Sequence, residues 1–197
     1  MIYLLLDSSN TYLSVGLVKN SELIDQISYP CFQRQSEYMA LEIDRLLKRN
    51  HLAPNKINGV VTSVGPGSYT GIRIALTIAK VMCYALKIPL FPLSTLEINK
   101  VINKNSIVLF NARSNRSYIA AFTKSKRILK DQAMNNNDVI KYIKSHPDYV
   151  LVGDLSYLNL KGKKVDVLKN MTILMKSVKP VKNPNLVKPI YLKESYL

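Results

Sequence analysis

Asn58-Gly59-Val60-Val61-Thr62-Ser63-Val64-Gly65-Pro66-Gly67-Ser68-Tyr69-Thr70-Gly71-Ile72-Arg73 is the stretch whose reading decides the fold. Val60, Val61 and Val64 make the apolar run of a buried strand, Gly65-Pro66-Gly67 breaks it in a turn, and Ile72, Leu76, Ala79, Met82 and Cys83 recur at helical spacing. Ser68 and Thr70 are both placed to cap the first turn of that helix. A strand that feeds a helix through a glycine turn presents backbone N–H groups to something negative or polar.

The spacing excludes two familiar phosphate loops. Gly71 is followed by Ile72-Arg73, so the lysine and the magnesium-binding hydroxyl of a P-loop are missing. Gly65, Gly67 and Gly71 stand one residue too far apart for the dinucleotide pattern. Arg73 places a cation at the positive end of the helix dipole, at a cost of about 0.3–1 kcal/mol unless an anion faces it or the side chain bends into water.

Outward from this stretch, the first half reads as an α/β lobe. Ile2–Leu6 is an apolar strand ending in Asp7-Ser8-Ser9-Asn10, Tyr12–Val18 alternates, and Leu23–Tyr29 returns after the Lys19-Asn20-Ser21 turn. A helix follows over Ser36–Arg49, with Met39, Ile43, Leu46 and Leu47 on one face and an Asp44–Lys48 pair at i, i+4. The second half is weaker in signal. Ile107–Phe110 and Tyr118–Phe122 make a hairpin across residues 112–116, Asp138 caps a short helix to Ser145, Tyr149–Val152 is a strand, and Pro180, Pro184 and Pro189 punctuate an extended tail. The Pro92-Leu93-Ser94-Thr95 turn and a shift in charge divide the chain into lobes 1–100 and 101–197.

That charge is lopsided. Net charge is +15 over 197 residues, with 10 Lys/Arg against 7 Asp/Glu in residues 1–100 and 18 against 6 in residues 101–197. A field of this sign concentrates RNA or an acidic partner, which makes Arg113, Arg116, Lys124, Lys126 and Arg127 the candidates for RNA contact. The opening Met1–Leu6 has no basic leader before Asp7, and no apolar run of about 18 residues is legible, so a cytoplasmic protein without a membrane partner is expected. Cys31 and Cys83 lack metal-type spacing and read as free buried thiols.

Asp7-Ser8-Ser9-Asn10, Val64 to Lys80 and Ser94-Thr95-Leu96-Glu97 together resemble the TsaB (YeaZ) family of bacterial tRNA-modification proteins. The likeness continues more faintly through Asn111-Ala112-Arg113, Val152-Gly153-Asp154 and Pro189-Ile190-Tyr191-Leu192-Lys193. It implies an actin-like ATPase superfold of two lobes, the second shortened. It also implies a place in the complex that forms threonylcarbamoyladenosine next to the anticodon of tRNAs reading codons that begin with adenine. In that complex such a chain is a non-catalytic scaffold that docks on a TsaD-like transferase subunit and supports a TsaE-like ATPase. ATP and a metal ion are expected on those subunits, with tRNA bound through the complex and a homodimer when the chain is alone.

Departures from catalytic relatives fit that role. The transferase holds a metal with paired histidines on a helix, whereas His51 and His146 here have no partner at i+4. The second-lobe hairpin offers Asn111, with Arg113 and Arg116, where nucleotide-using relatives need an acidic glycine-rich loop. Asp7, Ser8, Ser9, Gly65, Gly67 and Gly71 form a candidate vestigial phosphate loop; tight backbone packing and a turn cap at Asp7 explain the same residues. A stand-alone actin-like kinase or glycoprotease-type peptidase, and a basic RNA-binding module, are the other readings. Because the second helix is apolar almost all round, a partner-docking face is expected at Met39, Ile43, Leu46, Leu47, Ile72, Arg73, Ala75, Leu76, Ala79 and Met82, burial by the first helix and the second lobe within the monomer being the alternative.

Overall fold

The computed structural model describes residues 1–31 and 33–192. Lys193, the last residue of the Pro189–Lys193 motif, lies outside them. The chain forms two compact lobes.

In the first lobe, β1 (Ile2–Asp7), β2 (Tyr12–Lys19) and β3 (Glu22–Pro30) form an antiparallel meander. Helix α1 (Gln35–Arg49) then leads to β4 (Gly59–Ser63), α2 (Tyr69–Leu86) and β5 (Leu90–Leu93). β4 lies parallel to β1, with Leu4 opposite Val60 and Leu5 opposite Val61, and β5 lies parallel to β4, so the sheet order is β3-β2-β1-β4-β5. Its central strands are buried on both faces, which is why they read as continuous apolar runs. Leu4, Leu6, Leu13, Val15 and Leu17 of the sheet share one core cluster with Met39, Leu46, Ala75 and Ala79 of the helices. Each large apolar side chain buried there contributes about 1.5–3 kcal/mol. Lys48 and Asp44 pair at 2.8 Å on the exposed side of α1.

The expected boundary at residue 100 needs correction. The first lobe comprises Met1–Thr95 and Met171–Ile190, and the second comprises Leu96–Asn170 with the last described residues, 191–192. The proline-punctuated tail is therefore part of the first lobe. Val181 exchanges hydrogen bonds of 2.7 and 3.0 Å with Leu90, covering the open edge that β5 would otherwise present. The Ile190 N–H reaches the Val64 carbonyl at 2.7 Å.

The second lobe opens on α3 (Thr95–Ile98) and contains β6 (Ser106–Arg113), β7 (Arg116–Phe122), β8 (Arg127–Asn135), α4 (Asn136–Lys144) and β9 (Val150–Val152), after which α5 (Val167–Leu174) begins. Its sheet has the order β8-β7-β6-β9, with only the β6–β9 pair parallel. Alternate residues serve two cores: Val108, Phe110, Ala120 and Phe122 on one face, Ile107, Leu109, Ile119 and Ala121 on the other. α3, β8 and α5 have no counterpart in the sequence reading. Asn135, not Asp138, caps α4, its side-chain oxygen accepting from the Asn137 N–H at 3.0 Å. The two sheets with their helices make the mixed α/β fold of two lobes that the resemblance implies.

Candidate functional site

The end of β1 and the start of α2 meet as expected, but they meet in close packing. Ser68 caps α2 by accepting from the Gly71 N–H at 3.2 Å, and the Ser68 N–H donates to the Ser9 carbonyl at 2.8 Å. The Ser8 hydroxyl donates to the Gly71 carbonyl at 2.7 Å. A Cβ on Gly71 would lie 1.8 Å from the Ser8 carbonyl oxygen, so only glycine lets the helix sit this near β1. Gly65 has φ +110°, and a Cβ there would lie 2.5 Å from the Ile190 carbonyl oxygen. Gly67 faces the Ser9 carbonyl in the same way. The Ser68 and Gly71 N–H groups that would greet a phosphate are thus already bonded, and of the two readings of this loop the packing one accounts for its geometry.

Asp7 is 2% exposed. One of its oxygens accepts from the Ser63 hydroxyl and from the Ser9 N–H, the latter at 3.2 Å. Burial raises its pKa above the ordinary carboxylate range, with the bonds from Ser63 and Ser9 pulling the other way. That is the environment of a turn-capping carboxyl; a magnesium- or phosphate-ordering carboxylate needs access to its ligand. At the second-lobe hairpin, Asn111 Oδ1 accepts from the Arg113 N–H at 2.8 Å, closing a tip in which Arg113, Ser114 and Asn115 all have positive φ. Among the described residues no three His, Cys, Asp or Glu side chains come together as metal ligands. Cys31 and Cys83 are free and buried, and burial pushes the Cys83 thiol up to about 11.

The expected docking residues are mostly on the wrong side of their helices. Met39, Ile43, Leu46 and Leu47 of α1, and Ile72, Ala75, Leu76 and Ala79 of α2, are buried within the lobe. The physical reason is that α1 and α2 pack on one another as well as on the sheet, so the small residues of α2 admit α1. Only Arg73, exposed, and Met82, half-buried, keep an outward aspect. Arg73 lies over the Tyr69 ring, 4.5 Å from its centre, where the π face answers a cation that the helix dipole disfavours. The surplus of apolar residues on α2 is nonetheless real. Val81 is 62% exposed and Ile74, Ile78 and Met82 are half-buried beside it, an outward stripe at i, i+4, i+7 and i+8, with Tyr84, 73% exposed, at its flank. By length and composition α2 is also apolar enough to cross a membrane, a test that core helices pass as well, and a third of it is buried in the lobe.

The five candidate tRNA cations do not form one patch. Arg113 and Arg116 flank the β6–β7 turn, while Lys124, Lys126 and Arg127 belong to the β7–β8 turn at the opposite end of β7. Seven residues at about 3.3 Å each separate the two groups by roughly 20 Å. Arg127 is 28% exposed at its side chain and spent internally: it pairs with Glu97 and Asp131, both at 2.6 Å, and covers the Phe122 ring.

Comparison with known proteins places this geometry. The family model described as TsaD, tRNA N6-adenosine threonylcarbamoyltransferase, matches residues 31–172. A tRNA threonylcarbamoyladenosine biosynthesis protein TsaB of Buchnera aphidicola from Acyrthosiphon pisum is 34% identical over 131 residues, 64% of this chain and 59% of that protein. This chain thus spans less than two thirds of that relative. TsaB of Buchnera aphidicola from Schizaphis graminum is 30% identical over 165 residues, 78% of each chain. The chain belongs to the TsaB (YeaZ) family. A crystal structure described as an uncharacterized protein with similarity to peptidase YEAZ, from Pseudomonas aeruginosa, superposes with a TM-score of 0.81 at 18% identity, over 98% of this chain and 99% of that one. That protein shares the fold seen here in spite of the low identity.

Proposed function

We propose that this chain takes part in tRNA threonylcarbamoyladenosine biosynthesis as a non-catalytic, cytoplasmic TsaB-type subunit. It docks on a TsaD-type transferase subunit and supports a TsaE-type ATPase. The observation that carries the reading is the closed state of the one candidate nucleotide loop in a chain of this family: Asp7 is buried and the glycine turn is packed on backbone carbonyls. A stand-alone kinase or peptidase needs an open site there. ATP and the metal ion belong on the partner subunits, and tRNA reaches this chain through the assembly.

The docking face in this reading is the outward stripe of α2 around Ile74, Ile78, Val81 and Met82, not the buried residues expected from sequence. In the absence of the transferase subunit a second copy of the chain covers the same stripe. Thr77 and Val81 are exposed one helical turn apart, so Thr77→Arg with Val81→Arg places two cations on the stripe without entering the core. We expect the double variant to melt like wild type and to bind the transferase subunit about a hundredfold more weakly, the loss typical of disrupting a packed interface centre. Sedimentation of the two purified subunits measures this. A complex of wild-type affinity would move the docking face elsewhere.

A further inference from the structure

We propose that the end of the second-lobe sheet formed by the α3–β6 loop 99–105, the β7–β8 turn 123–126 and the α4–β9 loop 144–149 is a phosphate-backbone contact for structured RNA. The proposal rests on the reading above, since tRNA is the RNA that the assembly would present.

The topology gathers these loops. Ser106 of β6 lies opposite Phe122 of β7 and Val150 of β9, and Phe122 lies opposite Arg127 of β8, so all three loops emerge at one end of the sheet. Asn105 ties them: its side-chain oxygen accepts from the Lys124 N–H at 3.2 Å and its carbonyl from the Val150 N–H at 3.0 Å. The Asn136 N–H bonds the Asn115 carbonyl at the opposite end, so α4 runs back along the sheet and delivers Lys144 to the same place.

The charge gathered there exceeds the carboxylates of these loops. Lys104, Lys124, Lys126 and Lys144 are all exposed, and the three loops hold one carboxylate, Asp148. Among the described residues, the ion pairs of this lobe use other cations, namely Lys100, Arg127, Lys141 and Lys169. Arg127, counted from sequence among the RNA-binding cations, instead helps hold the turn that carries Lys124 and Lys126.

The chemistry favours RNA over an acidic protein or a membrane. Among the described residues of these loops there is no exposed large apolar side chain, whereas a protein interface is built on an apolar centre and stable membrane adhesion needs apolar insertion or a lipid anchor. Flexible lysines spread over three loops suit a chain of phosphates, which they neutralise as point charges without reading base edges.

The test is the salt dependence of binding between the full chain and an unmodified tRNA transcript, followed by fluorescence anisotropy. Each phosphate neutralised contributes about 0.7–0.9 to the slope of log K against log salt. Replacing Lys104, Lys124, Lys126 and Lys144 together by glutamine should therefore flatten the slope by about 3. The melting temperature should not change, because among the described residues these exposed lysines make no ion pair. A slope equal to wild type overturns the proposal. So does lysine-dependent binding to poly-glutamate or to phosphatidylglycerol vesicles without lysine-dependent binding to tRNA. Docking on the transferase subunit, measured on the same variant, separates this claim from the subunit reading: an unchanged slope with docking intact removes the RNA face alone.

Discussion

Ala79→Arg should leave the first lobe unfolded at room temperature, and Ala75→Arg should do the same. Both methyl groups are fully buried in the cluster shared with Met39, Leu46 and Cys83. A guanidinium forced among them adds overpacking of about 1–3 kcal/mol. It also adds the desolvation of a charge, which costs several kcal/mol more even after the surroundings relax. A domain with the usual stability of about 5–15 kcal/mol loses most or all of it. Circular dichroism during heating checks this, and a cooperative transition within a few degrees of wild type would show that α2 does not pack as described. The contrast with Thr77→Arg and Val81→Arg on the same helix is the informative comparison, because the four positions differ in which side of α2 they occupy and little else.

Gly71→Ala should cost at least about 3 kcal/mol, beyond the ordinary range for one added methyl in a core, because the obstacle is backbone and not a side chain that can swing aside. The new Cβ would sit 1.8 Å from the Ser8 carbonyl oxygen. Relief requires α2 to withdraw from β1, which breaks the Ser8 hydroxyl bond to the Gly71 carbonyl and loosens the Ser68–Ser9 contact. Urea unfolding of the variant measures the loss. A change below about 0.5 kcal/mol, the usual effect of a surface substitution, would mean that the loop is open enough to accept a side chain and so a ligand.

Much of the first lobe is legible because its central strands are buried on both faces and its breaks fall at glycine, proline and asparagine. Helix α2 was legible as a helix but not as a surface. The stripe Ile72, Ala75, Leu76, Ala79 and Cys83 has core periodicity, yet so many neighbours are apolar that the pattern does not say which side meets the sheet and α1. β8 escaped notice because it is a half-buried edge strand whose pairing with β7 is interrupted at Ile119–Ala121 and Ala121–Phe122, blurring the alternation. Arg127 looked like a free cation because its partner Glu97 stands thirty positions away. The division of the tail between lobes was hidden for a similar reason: its anchor is the backbone pairing of Val181 with Leu90, which no side-chain pattern announces. At the candidate nucleotide loop, Gly67 and Gly71 lie against Ser9 and Ser8 and Gly65 lies against Ile190, and only these carbonyl-to-glycine distances, which no sequence pattern carries, separate a packed turn from an open cradle.

The most direct measurement is the formation of threonylcarbamoyladenosine in tRNA, read by mass spectrometry of digested nucleosides after reconstitution with the transferase subunit, the ATPase subunit, ATP and the threonylcarbamoyl donor. The account predicts modification when the wild-type chain is present, a fall to background when it is omitted or replaced by the Thr77→Arg, Val81→Arg variant, and none from the chain alone. Equal modification without the chain, or modification by the chain in the absence of its partners, would contradict it.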